Sequence, residues 1–90
     1  MHTLLIEETK PLRDQVAKFL QDAGHRVDAA VDKAAAMSFL ANTPPEVVVI
    51  NWTPGSVEFV RKVRAYESDR RIYVIAVLDK HPPSSIPGLY

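Results

Sequence analysis

Val47-Val48-Val49-Ile50-Asn51, VVVIN at positions 47–51, decides the fold. Four consecutive β-branched residues without polar alternation have the profile of a central parallel strand covered by helices on both faces. The strand, Val47 to Ile50, delivers an amide, Asn51, to its carboxyl end. Working outward, the turn Asn42 to Pro45 precedes it, and Thr53, Pro54 and Gly55 follow.

Upstream, Thr3 to Ile6 is a second apolar run, stopped by Glu7 and Glu8, and reads as a buried strand. Thr9 is placed to cap a helix with Pro11 in its first turn. Leu12, Val16, Phe19, Leu20 and Ala23 recur at helical spacing until Gly24 ends it. Arg26 to Ala30 is a more polar strand suited to a sheet edge. Asp32 then caps a helix carrying Ala36, Met37, Phe39 and Leu40. Downstream of the central run, a third helix is expected with Val57, Val60 and Val63 inward and Arg61, Lys62 and Arg64 outward. Ile72 to Leu78 follows as a fourth strand. Strand and helix alternate with short connections, which implies parallel strands in an open doubly wound α/β sheet. Such a sheet works at the carboxyl ends of its strands, where strand order reverses, and Glu7, Glu8, Asn51 and Leu78 or Asp79 fall there.

The chain has 90 residues, 47% of them apolar, which suits one small domain. Its 11 basic and 11 acidic residues are interleaved, so no long-range field draws it to nucleic acid or anionic lipid. There is no cysteine, hence neither disulfide nor thiolate chemistry. No apolar run approaches the roughly 20 residues needed to cross a bilayer. Leu4, Leu5 and Ile6 run straight into two glutamates and do not form a signal peptide, so a cytoplasmic location is expected. His2, His25 and His81 have no spacing that brings them to a shared metal and read as surface residues.

A carboxylate pair after the first strand and a third oxygen ligand after the third strand could hold a hard divalent cation beside a phosphoryl acceptor. With LLIEETKPLR, AGHRV, VVVINWTP, VRKVR and YVIAVL in this order along essentially the whole chain, the sequence resembles the receiver domain of two-component response regulators. The resemblance implies a CheY-like, flavodoxin-like sheet with strand order 2-1-3-4 and a role in phosphorelay signal transduction, with a histidine kinase among the implied partners. It implies Glu7 and Glu8 as the acidic, magnesium-binding pair, Asn51 at the phosphoacceptor position and Leu78 at the hydroxyl-bearing switch position. Residues 1–90 would then be one incomplete receiver-like domain. The family's fifth strand, with its lysine, and fifth helix have no counterpart before Tyr90, and residues 81–90 read as a proline-rich irregular tail.

The departures cluster at one site. An amide is neither a nucleophile toward phosphorus nor a charged magnesium ligand, and Leu78 cannot bond to a phosphoryl oxygen. The loop Trp52 to Gly55 is shorter than the family's. These substitutions predict a non-catalytic pseudo-receiver that acts through protein contacts without aspartyl phosphorylation and needs no cofactor. Trp52, whose expected role is packing over the loop, is a second candidate as a partner contact. An uncovered fourth strand predicts a homodimer or a domain-swapped assembly, with no direct contact to nucleic acid or membrane. Two alternatives are magnesium-dependent phosphorylation of another acid, such as Asp79, and a front fragment of a longer regulator with a separate output domain.

Overall fold

In the computed structural model of the chain, residues 1–67 and 70–77 are described. Leu78, Asp79, His81 and the expected tail lie outside them. The elements are β1 (His2–Ile6), α1 (Lys10–Asp22), β2 (Arg26–Ala30), α2 (Lys33–Asn42), β3 (Val47–Asn51), α3 (Ser56–Arg64) and β4 (Tyr73–Val77). All strand pairs are parallel and the order is β2-β1-β3-β4, as expected, with β2 at one edge. The order reverses between β1 and β3, where Leu4 lies beside Val48 and Ile6 beside Ile50.

Side chains alternate across the sheet, so the two faces can be followed separately. Leu4, Ile6, Val48 and Ile50 point to one face and pack with Ala36 and Leu40 of α2 and Phe59 and Val63 of α3. All eight are buried. Each large aliphatic side chain removed from water in this way contributes about 1.5–3 kcal/mol, so this face holds the fold together. The other face carries Leu5 and Val49, with Leu12 and Val16 of α1 beside them. Here the covering is partial: Val47 and Val49 are half-buried, and α1 has no buried residue. Two complete coverings, expected for so apolar a strand, are therefore not found among the described residues. Composition reports what a strand can bury, whereas actual burial depends on the neighbours available.

Local signals explain the end of α1 and the start of α2. Gly24 adopts φ +96, a conformation unfavourable for residues with a Cβ. Its amide donates to the Gln21 carbonyl at 2.9 Å and that of His25 to the Leu20 carbonyl at 3.0 Å, the paired bonds of a Schellman ending. Asp32 caps α2 as expected, its Oδ1 accepting from the Ala35 amide at 2.7 Å. Thr9 occupies the N-cap position of α1, but its side chain makes no capping bond.

Other sequence expectations need correction. Val57 is 50% exposed, and the inward face of α3 is formed by Ser56, Phe59 and Val63. Spacings of three and four place 56, 59, 60 and 63 on one stripe, whereas 57 is turned about 100° from 56. His2 is not simply a surface residue either: its Nε2 lies 2.7 Å from Asp28 Oδ2 and its side chain is mostly buried. The neighbouring edge strand supplies that carboxylate, a pairing across 26 positions that sequence spacing does not reveal.

Candidate functional site

Glu7 and Glu8 follow β1, Asp32 and Lys33 open α2, and Asn51 ends β3. With Ile6, Val31, Ile50 and Thr53 these residues line one cleft of about 80 Å³ at the carboxyl ends of the first three strands. The cleft sits at the reversal of strand order, where an open α/β sheet leaves a crevice. It has room for a few waters or a small ion and none for an organic cofactor. A larger hollow of about 560 Å³ lies at the opposite end of the sheet, walled in part by Pro44, Pro45, Tyr66 and Tyr73. It contains none of the residues that the sequence singled out as a site.

Glu7 is 6% exposed. Burial of a carboxylate requires hydrogen-bonding compensation, and its Oε2 accepts from the Thr9 amide at 2.9 Å, beside the start of α1. Its backbone carbonyl accepts from Arg13 Nη1 at 2.8 Å, which ties α1 back to the end of β1. Glu8, by contrast, is exposed. The two acids are therefore unequal: one is engaged with its own chain and one faces solvent.

Asn51 is half-buried, and β3 reaches it in register with Val77 of β4. Immediately after it, the Trp52 amide donates to the Val77 carbonyl at 2.9 Å, which keeps the loop against the strand ends. The Trp52 side chain is 37% exposed.

The four-residue connection, 52–55, is held by side chains that the sequence reading did not single out. Thr53 N donates to Ser56 Oγ at 2.9 Å, and the Ser56 amide donates to the Thr53 carbonyl at 2.9 Å. The two hydroxyl oxygens are 3.3 Å apart. Lys33 Nζ donates to Thr53 Oγ1 at 2.8 Å, spanning from the first turn of α2 to the far side of the cleft. A signal for Lys33 did exist in the sequence. A cation in the first turn of a helix is electrostatically unfavourable, because the N-terminus already carries partial positive charge. Its place directly after the capping Asp32 therefore called for another role.

The divalent cation implied by the resemblance can be tested against these donors. Magnesium requires near-octahedral oxygen ligation and gives up its waters reluctantly. Glu7 and Asp32 each have an oxygen committed to a backbone amide, Asn51 brings no charge, and an ammonium stands among the lining groups. Among the described residues no group of three His, Cys, Asp or Glu side chains is arranged to hold a metal ion. This donor set does not fit a tightly bound magnesium ion.

No protein-family model matches the chain, and no curated protein sequence is significantly similar to it. Solved structures do resemble it. The chemotaxis protein CheY4 of Vibrio cholerae aligns with TM-score 0.75 at 23% identity, over 93% of this chain and 72% of that one. The receiver domain of the hybrid histidine kinase CckA aligns with TM-score 0.72 at 16% identity, over 94% of this chain and 91% of that one. The response regulator TrrA of Thermotoga maritima, solved in complex with Mg(2+)-BeF, gives TM-score 0.69 at 18% identity, over 87% of this chain and 70% of that one. Identities this low speak to architecture rather than to chemistry, and the architecture of this chain is that of a CheY-like receiver domain.

Proposed function

We propose that the chain is a signal-transduction regulator of the two-component type, an atypical receiver that works through protein contacts without aspartyl phosphorylation. The observation that carries this reading is Asn51 at the end of β3, in the same cleft as Glu7 and Glu8. Phosphoryl transfer to a side chain at this place requires a nucleophilic carboxylate, and an amide offers none at neutral pH. The shape that presents the site is kept while its acceptor chemistry is replaced, which favours recognition over turnover.

The contacts belong to the face that α1 covers incompletely. An apolar trough of about 100 Å³ between Leu5, Leu12, Val16, Val49 and Val77 opens beside exposed Ile75 and Tyr73 on β4. Phe19 adds an aromatic ring that is 72% exposed. Exposed apolar side chains of this kind favour a protein interface on this face. A second copy of the chain is the partner we assign to it, with a kinase or another signalling protein as the heterologous alternative.

Incubation of the full chain with acetyl phosphate and magnesium, followed by intact-mass measurement, tests the central claim. The mass is expected to stay unchanged. Addition of one phosphate, lost in Asp79→Ala, would replace this reading with phosphorylation at a non-standard acid. An adduct that survives that substitution would equally refute a receiver without phosphorylation.

A further inference from the structure

We infer that the Lys33 ammonium is the resident cation of the cleft, a tethered positive charge taking the place of a divalent ion and holding the β3–α3 loop through Thr53. Three acidic residues, Glu7, Glu8 and Asp32, line this small space, and Lys33 is the basic residue among its lining groups. Like charges gathered at one site repel, and a nearby ammonium offsets that repulsion.

The geometry gives the ammonium a second task. One of its three N–H donors is placed on Thr53 Oγ1 at 2.8 Å. The side chain also runs close to Gly55, where an added Cβ would lie 3.8 Å from Nζ. Lys33 therefore reaches over both ends of the turn that follows Asn51. Thr53 passes the restraint to Ser56, which is fully buried at the start of α3. Thus α2 is connected to α3 across the mouth of the cleft by a single flexible side chain. Its position in the first turn of α2, against the helix dipole, is offset in part by the Thr53 hydroxyl that it bonds.

Such a site is expected to be insensitive to magnesium, because an incoming ion must displace a charge already attached to the protein. Fluorescence of Trp52, one residue from Asn51, reads the loop directly; it is the sole tryptophan of the chain. The 90-residue chain, Lys33→Met, Lys33→Arg and Thr53→Val are titrated with magnesium chloride against sodium chloride of equal ionic strength. Wild type and Lys33→Arg are expected to show no saturable change, whereas Lys33→Met gains one that saturates at a magnesium concentration roughly tenfold or more below any at which wild type responds. Thr53→Val keeps the ammonium but loses its acceptor, so its emission is expected to shift while it stays silent to magnesium.

Saturable magnesium binding by wild type at the affinity of Lys33→Met would overturn the inference. So would a cooperatively melting Lys33→Met that fails to respond, or a Thr53→Val that responds as strongly as Lys33→Met. If Lys33→Met does not fold, Lys33→Gln is judged by the same outcomes. The intact-mass experiment on phosphorylation is decided separately, since either result is compatible with either response to magnesium.

Discussion

Glu67 shows how one side chain can tie the end of α3 to the approach to β4. Its Oε2 accepts from the Ile72 amide at 2.7 Å and from Arg64 Nη1 at 2.9 Å, so the end of α3 and the approach to β4 meet on one carboxylate. Arg64 donates in turn to the Ile72 carbonyl. The Ile72 amide is the main cause that holds the Glu67 carboxyl below its ordinary range; burial opposes this, and Arg64 and Arg71 reinforce it. A carboxyl depressed in the folded state binds fewer protons there than in the unfolded chain. Its contribution is thus fully present above the ordinary carboxylate range and is lost as pH falls through the folded value. Glu67→Gln is expected to lower stability at neutral pH and to flatten the acid side of the profile, so that variant and wild type converge in acid. Urea denaturation at a series of pH values checks this; parallel profiles would separate Glu67 from the acid dependence.

At the scale of the elements, the two sides of the sheet make unequal demands. Leu40 of α2 is fully buried against β1 and β3, whereas Phe19 of α1 is largely exposed. Leu40→Ala removes packed methyl groups and leaves a cavity, at an expected cost of about 2–5 kcal/mol. Phe19→Ala should change stability by less than about 0.5 kcal/mol, as surface substitutions generally do. Denaturant midpoints of the two variants measure the contrast, and similar losses would contradict the one-sided core. The difference between these helices also marks how far the sequence could be read. VVVIN and the turns around it sufficed for the alternation of strands and helices because β-branched runs, Gly24 and Asp32 act locally, whereas the strand order came from the resemblance. The inward stripe of α3 was misjudged because Val57 is apolar yet lies a third of a turn from Ser56. Glu7, Glu8 and Asn51 were legible as a site because the strand ends bring them together. The position of Lys33 at a helix start hinted at a role, but its bond to Thr53 did not show, since it crosses 20 positions and depends on where the loop closes.

For the whole molecule, the consequence is a surface with direction. Tyr73, Ile75 and Val77 form an exposed row along β4, at an edge of the sheet among the described residues. Unpaired strand edges with apolar side chains favour pairing with another chain. If a second copy takes this surface, Ile75→Lys places a charge within the interface and the apparent mass by light scattering should fall to that of a monomer. A wild-type protein that remains monomeric at high concentration would remove the homodimer from the proposal.

The partial covering of Val47 and Val49 on the α1 side also bears on how such a chain can change over time. Substitutions among Leu4, Ile6, Val48 and Ile50 disturb the packing on which the fold depends, whereas the opposite face places fewer constraints on the residues that occupy it. New binding preferences can therefore accumulate on the α1 side while the scaffold persists. Divergence of partners and preservation of shape become separable properties, assigned to opposite faces of the same four strands.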